Sequence, residues 1–474
     1  MKRIQLSNLI GDAPFWRRVL KLGLPIVLQN LLAASYSLID TLMIAGLGTE
    51  ALSAVGMAGQ WSFLFNMILF GVCSAAGMFV SQYFGAKEED NIRRTTGLAA
   101  LSAGAISLVM VLALTLFPRT LIGFLTDDPV IAEQVLQYIR IVVWSYPSVA
   151  LTLALGSVLR SCENVKLPTV ASIIATTLNV VMNYAFIYGK LGAPEMGIAG
   201  AALATLISSW VGTTFLIVAA LARRTVLRAP LSAFFGLSRD FVRLFFRRAV
   251  PVIFNEGSWG LGTFLLNAIY TNYDAMGYAA KTIFGTFENI AFVAFVGLCN
   301  AGCIMIGKSV GEGKIDRAVK DAKRFSFLVP FAGVVLGAVI ILFRHPLASI
   351  FNMGNNIAPE TLALAANLML IYALELPVRN IPYIQIVGIY RSSGDTSTGM
   401  RYDLICLWLL SLPVTYLSAM VFHLPFELVF FLMYISEDYL KTFLCIRHFR
   451  SRKWLKPVTD EGKAGLAAYL AEQA

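Results

Sequence analysis

The chain has 474 residues, 57% of them hydrophobic and only 14% charged. Soluble domains carry about a quarter charged residues, so a soluble fold is excluded and an integral membrane protein is expected. The formal net charge of +10 needs no nucleic acid to explain it, because basic residues flanking membrane spans face anionic lipid.

Twelve apolar runs, centred near residues 33, 66, 105, 148, 177, 209, 259, 293, 333, 376, 410 and 434, each reach the roughly 20 residues a spanning helix needs. None alternates apolar and polar residues as barrel strands do. The predicted fold is therefore all-α. With a cytoplasmic N-terminus, 32 of the 38 Lys and Arg fall in cytoplasmic segments. Arg119, Arg140, Lys190, Lys281, Arg344 and Arg379 are the others. That asymmetry predicts both termini inside the cell and supports the count of twelve. A plasma-membrane location is expected, of the kind found in a prokaryotic inner membrane.

Residues 1–21 are basic and amphipathic, without a cleavable signal pattern. Helix 1 follows, with Asp40 inside SYSLIDTLMIAGLG (35–48) and no other charge between Leu22 and Thr49. A carboxylate at that depth is costly, which makes it a candidate functional group. Tyr36, one turn earlier, is a candidate for cargo contact. On helix 5, TLNVVMNYAFIYG (177–189) places Asn179 and Asn183 four residues apart on one face. Their carbonyl oxygens could orient an acid or coordinate an ion, or the pair could bond between helices. An Arg-rich stretch, 223–248, reads as a cytoplasmic linker. Beyond it, Glu256 stands five residues after Pro251 on helix 7, near Trp259, and Glu288 lies towards the outer end of helix 8. Glu375 on helix 10 has Arg379 at i+4, so an ion pair along one helix face competes with a binding role. Asp40 and Glu256 have no cation within seven residues. Burial can raise a carboxyl group's affinity for a proton, and with further oxygens around it such a group can hold Na⁺. These residues thus suit a coupling-ion site.

Two patterns have bland readings. Residues 302–309, GCIMIGKS, fit GxxxxGK[ST], but a phosphate-binding loop needs a preceding strand. Here the match falls at the end of an apolar helix, where Lys308 would extend to the headgroups. Six cysteines without a CxxC pair and three scattered histidines predict no metal site. No cofactor is expected beyond H⁺ or Na⁺ as a coupling ion.

The two halves of the chain resemble each other. GVCSAAGMFVSQYFGA (71–86) aligns with GLCNAGCIMIGKSVGE (297–312) at an offset of 226, which also pairs Pro25 with Pro251 and Asp90 with Asp316. VLRSCEN (158–164) matches IYRSSGD (389–395). Six spans per repeat is an even number, so the repeats run parallel, and a two-lobed transporter with a cavity between the lobes is the expected architecture. The expected division is an N-lobe over 1–222, the linker 223–248, a C-lobe over 249–456 and a tail over 457–474.

These stretches, with LGLPIVLQNLLAASYSLIDTLMIAGLGTEALSAVGMAGQ, GMFVSQYFGAKEEDNIRR, MGIAGAALATLIS and RSRKW, are similar to those of the multidrug and toxic compound extrusion (MATE) family. The resemblance extends from about Trp16 to Trp454. It implies a twelve-helix, two-lobed carrier, monomeric, that exports organic cations and other amphiphiles in exchange for H⁺ or Na⁺. The family's helix 1 aspartate falls on Asp40, an acidic residue of helix 7 on Glu256 and a helix 5 asparagine on Asn179. Asn183 stands where some members have Asp, and the usual helix 10 aspartate falls near Asn380. Coupling-ion binding is thus expected at Asp40, Asn179, Asn183 and Glu256, and cargo contact at Asp40, Tyr36, Glu256, Trp259, Glu288 and Glu375. A flippase for lipid-linked precursors would need a cationic cavity and commonly fourteen spans. An intramembrane enzyme would need a nucleophile–base pair, but no His is expected near mid-membrane and HExxH does not occur.

Overall fold

A computed structural model describes residues 11–126, 128–223, 225–350 and 358–473, without the side chains of 36–38 and 49. Among them the only β feature is an isolated bridge between Gly394 and Leu455. The twelve long helices are α1 (Ala13–Ala45), α2 (Thr49–Ala86), α3 (Glu89–Leu116), α4 (Pro129–Ser161), α5 (Lys166–Tyr188), α6 (Gly197–Ala222), α7 (Arg239–Tyr273), α8 (Ala275–Gly311), α9 (Ile315–Ser349), α10 (Pro359–Tyr390), α11 (Thr396–Val421) and α12 (426–450), with α13 (Asp460–Ala471) closing the chain. Their boundaries follow local chemistry. Asp128 caps α4 through the amides of Val130 at 2.8 Å and Ile131 at 3.3 Å, with Pro129 opening the helix. Gly189 ends α5 at φ 61, in the left-handed region that favours glycine. Ten of the helices are long and apolar enough to cross a membrane. α7 and α12 have the length but not the apolar content, because they carry Asn255, Glu256, Glu437, Asp438 and Lys441.

The contacts divide the chain into two compact units. Of the described residues, one holds those within 25–80 and 87–253, and the other those within 11–24, 81–86 and 254–473. In the first, α5 and α6 approach closely because small residues face the partner backbone. A Cβ on Gly200 would stand 2.6 Å from the carbonyl oxygen of Phe186, and one on Gly212 2.8 Å from the Ala175 methyl. That contact directs Asn179 of α5 at Thr205 and Ser208 of α6. Phe65 stacks on Tyr146 at 4.4 Å, and the Tyr146 hydroxyl meets Ser62 at 3.0 Å, which fixes α2 to α4.

In the second unit, α9 and α10 pack through Gly333 and Gly337. A Cβ on Gly337 would lie 2.5 Å from the Ala373 carbonyl, and one on Gly333 3.0 Å from the Asn380 amide. Ala373, Leu376 and Asn380 therefore face α9. Glu375 and Arg379 lie on the opposite side of α10 at 3.6 residues per turn, turned to α8 and α12. The first turns of α1 join this unit through Asp12, 3.3 Å from Arg324, and through Phe15, 5.3 Å from the Phe325 ring.

The repeat is visible at one helix crossing inside this unit. Gly85 and Gly311, 226 residues apart, would direct their Cβ atoms onto the carbonyls of Lys308 and Gln82 respectively. Gln82 is fully buried there, donating to the Ser392 carbonyl and accepting from the Val458 amide, both at 2.8 Å. Gly311→Ala forces backbone apart and should cost about 1–3 kcal/mol or more, read as a lower thermal unfolding midpoint in detergent. Gly104→Ala on α3, with open space around it, should be neutral or slightly stabilising. Equal midpoints for the two variants would mean that the crossing is looser than described.

Candidate functional site

In the first unit, Asp40, Asn183 and Asn179 form one chain of hydrogen bonds. The Asn183 amide donates to Asp40 Oδ1 at 2.6 Å and to Asn179 Oδ1 at 2.8 Å. Asn179 in turn donates to Ser208 at 3.2 Å and Thr205 at 3.3 Å. One turn along, the Tyr188 hydroxyl donates to the Met43 carbonyl at 2.7 Å and holds α1 against α5. No cation pairs with Asp40 among the described residues. Asn183 is fully buried, yet its Oδ1 has no hydrogen-bond partner. An acceptor left unpaired in the interior is expensive. A carboxylate with spare lone pairs beside an orphan carbonyl oxygen is a place for a cation or a proton, with the Asn179–Ser208 relay fixing the amide. The side chain of Tyr36 lies outside the described residues.

The second unit holds a denser set of charges. Glu256 has no neighbouring cation in sequence, but Arg391, 135 residues later, reaches it at 2.6 Å. The pair meets as a close charge contact, without the alignment of a hydrogen bond at Arg391 Nη1. Both side chains are largely buried, so the carboxylate is compensated in a way that Asp40 is not. Asn255 donates to Asp403 at 2.9 Å. Lys441 bridges Asp403 at 3.2 Å and Glu437 at 2.8 Å.

The ion pair along α10 considered from the sequence does not form. Arg379 turns to Asp438 at 3.7 Å and Glu288 at 3.9 Å and lies over the Tyr434 ring, while Glu375 accepts from the Tyr439 hydroxyl at 3.3 Å. The i,i+4 spacing permitted the pair, but α8 and α12 present acids closer to the guanidinium. Trp259 is partly exposed on the α7 surface, and Asn380 bonds its own helix at the Leu376 carbonyl. GCIMIGKS lies wholly within α8, with Lys308 over the Phe84 ring, so the phosphate-loop pattern has no loop.

Arg391, Asp403, Glu437, Asp438 and Lys441 were not expected from the sequence as site residues, although Arg391 belongs to the repeated IYRSSGD stretch. The signal was present: Glu437 and Asp438 stand three and four residues from the centre of the last apolar run, where a charge requires a partner. The backbone marks the same region. Ile384–Tyr390, Ile405–Ser411 and Ile435–Tyr439 are wound as π-helix, next to Arg391 and Asp403 and around Glu437 and Asp438. Such turns are frequent at functional sites.

Between α10 and α11, Asp395 caps α11 and is fully buried, accepting from His448 at 2.7 Å and Lys456 at 2.8 Å. Burial pushes its carboxyl up, but the hydrogen bonds from His448, Lys456 and Thr398 outweigh that and hold it below its ordinary 3.8. A folded value below the unfolded one gives stability that is present above about 3.8 and lost as pH falls through the lowered value. Asp395→Asn should therefore cost about 1.5–3 kcal/mol at neutral pH. The gap from wild type, followed by thermal unfolding, should close only in strong acid; a gap already closed in mild acid would refute the assignment.

The comparisons agree with this layout. A family model described as MatE matches residues 25–185 and again 251–417. The two matches start 226 residues apart, the offset of the internal repeat, and together cover more than half of the chain. The chain is 24% identical over 452 residues to a probable multidrug resistance protein NorM of Thermotoga maritima, covering 93% of each. To the multidrug resistance protein MdtK of Cronobacter sakazakii it is 26% identical, over 85% of this chain and 88% of that one. The solved structure of the Vibrio cholerae MATE transporter VcmN in the bent form superposes with a TM-score of 0.83 at 19% identity, covering 95% of this chain and 100% of that one. That likeness shows the twelve-helix fold, and the duplicated family match over both units shows that the chain belongs to the MATE transporter family.

Proposed function

We propose that this protein is a cation-coupled antiporter that exports organic cations and other amphiphilic molecules by alternating access, with H⁺ or Na⁺ as the exchanged ion. The observation that carries the reading is the Asp40–Asn183–Asn179 chain: an acid inside a spanning helix, without a paired cation, beside an unpartnered carbonyl oxygen. A coupled carrier needs a group whose ion occupancy biases a two-state element, and Asp40 is such a group. Relatives named multidrug resistance proteins point to the class of cargo. Glu256 takes a supporting role in this reading, because Arg391 already neutralises it. The protein would act as a monomer in the plasma membrane with both termini cytoplasmic.

The test is efflux of a fluorescent organic cation from proteoliposomes under separately imposed Na⁺ and pH gradients. One gradient should drive efflux and the other should not. Efflux driven by neither, or preference for an anionic dye, would sink the reading.

A further inference from the structure

The last stretch of the chain lies beyond the family match, which ends at residue 417, yet it is built into the second unit. Trp454 anchors it. The side chain is fully buried, stacks on the Phe449 ring at 5.6 Å and donates to the Phe449 carbonyl at 3.0 Å. Three attachments follow in chain order. At the turn between α10 and α11, the Lys456 amide donates to the Ser393 carbonyl at 2.9 Å, Leu455 bridges Gly394, and Lys456 Nζ reaches Asp395 at 2.8 Å. At the end of α2, the Val458 amide donates to Gln82 at 2.8 Å. At the end of α8, the Thr459 hydroxyl donates to the Gly311 carbonyl at 3.0 Å and accepts from the Gly462 amide at 3.1 Å. One side chain thus caps α13 and satisfies a carbonyl that the last turn of α8 leaves open.

α13 then settles on the turn between α8 and α9. Gly462, Gly465 and Tyr469 share one helix face at i, i+3 and i+7, and Gly462 and Tyr469 are buried along it. A Cβ on Gly462 would lie 2.7 Å from the Val310 carbonyl, and one on Gly465 would collide with the Gly313 carbonyl. Gln82 stands at the centre of these attachments. Its amide oxygen takes the tail and its amide nitrogen takes the Ser392 carbonyl, so it joins α2 to the tail and to the α10–α11 turn. Without the tail its buried oxygen would lose its donor. Beyond the Trp454 anchor, the attachments named here are backbone and hydroxyl hydrogen bonds and one ion pair. Such bonds exchange for bonds to water at small net cost, so this segment can detach while the spans keep their packing.

We propose that residues 455–471 are a detachable strap that holds the end of α2 against α8 and the α10–α11 turn, and that this face of the protein opens when the strap lets go. The gating role rests on the reading of the chain as a coupled carrier; the hold on α2 does not.

The test is amide hydrogen exchange of the purified full-length protein in detergent, comparing wild type with Gly465→Ala and Thr459→Val. Alanine favours the helix over glycine, so Gly465→Ala disturbs the docking of α13 and not its winding. Residues 455–471 should exchange about tenfold faster or more in both variants, and residues 81–86 should quicken with them. Gly104→Ala, the same replacement in open space, should leave both segments at wild-type rates. A quickened tail with residues 81–86 unchanged overturns the proposal, as does a tail that keeps wild-type rates in both variants. In proteoliposomes, a face held closed less firmly leaves more of the protein open to cargo on that side. The apparent KM for a fluorescent organic cation presented there should fall severalfold in Gly465→Ala with the maximal rate kept. A lower rate at unchanged KM is what a merely structural tail would give, and it would refute the gate. Absence of gradient-driven efflux in the wild type, with the exchange results as expected, would refute the carrier reading and leave the hold on α2 standing.

Discussion

Asp40→Asn should abolish gradient-driven efflux while leaving insertion and thermal stability close to wild type. The substitution keeps the shape and keeps an oxygen to accept from Asn183, which donates at 2.6 Å. It removes only the charge that a coupling ion would meet. If one proton is exchanged per cargo molecule, each unit of pH gradient can sustain about a tenfold cargo gradient, since one unit is worth about 1.4 kcal/mol. The variant should sustain none, because a site with equal affinity for the ion in both states shifts nothing. Asn183→Ala should weaken the same coupling less completely, since Asp40 keeps its charge and loses only its donor. Cargo accumulation against a gradient, measured in proteoliposomes, reads both. Wild-type accumulation by Asp40→Asn would reduce the carboxylate to a packing residue.

Arg391→Gln should be the most destabilising single change in the second unit. Glu256 would then be a largely buried carboxylate with its cation gone, and breaking such a pair from one side costs about 3–5 kcal/mol. Glu256→Gln should cost a comparable amount, because it strands the guanidinium instead. The double variant should recover much of the loss, since replacing both charges removes the uncompensated one. Unfolding midpoints of the four proteins in detergent close the cycle. If both single variants unfold as wild type does, the pair contributes nothing and Glu256 is free to meet a cationic cargo, which would restore it to the binding role expected from the sequence.

What the sequence determined by itself was whatever depends on period, length and composition. A spanning helix satisfies its own backbone hydrogen bonds, so an apolar run of sufficient length needs no partner to declare itself. The helices, the repeat and the offset of 226 were legible for that reason. The spacing of Asn179 and Asn183 was legible too, because four residues on a helix fix a shared face. Pairing between distant charges was not. The contact of Glu256 with Arg391, and that of Lys441 with Asp403 and Glu437, depend on which helix faces which and at what depth. The α10 face shows this most directly. Glu375 and Arg379 satisfy the i,i+4 rule, but in water that pairing is worth only a few tenths of a kcal/mol. In the interior, α8 and α12 offered Arg379 the acids Glu288 and Asp438, and tertiary packing decided the partner.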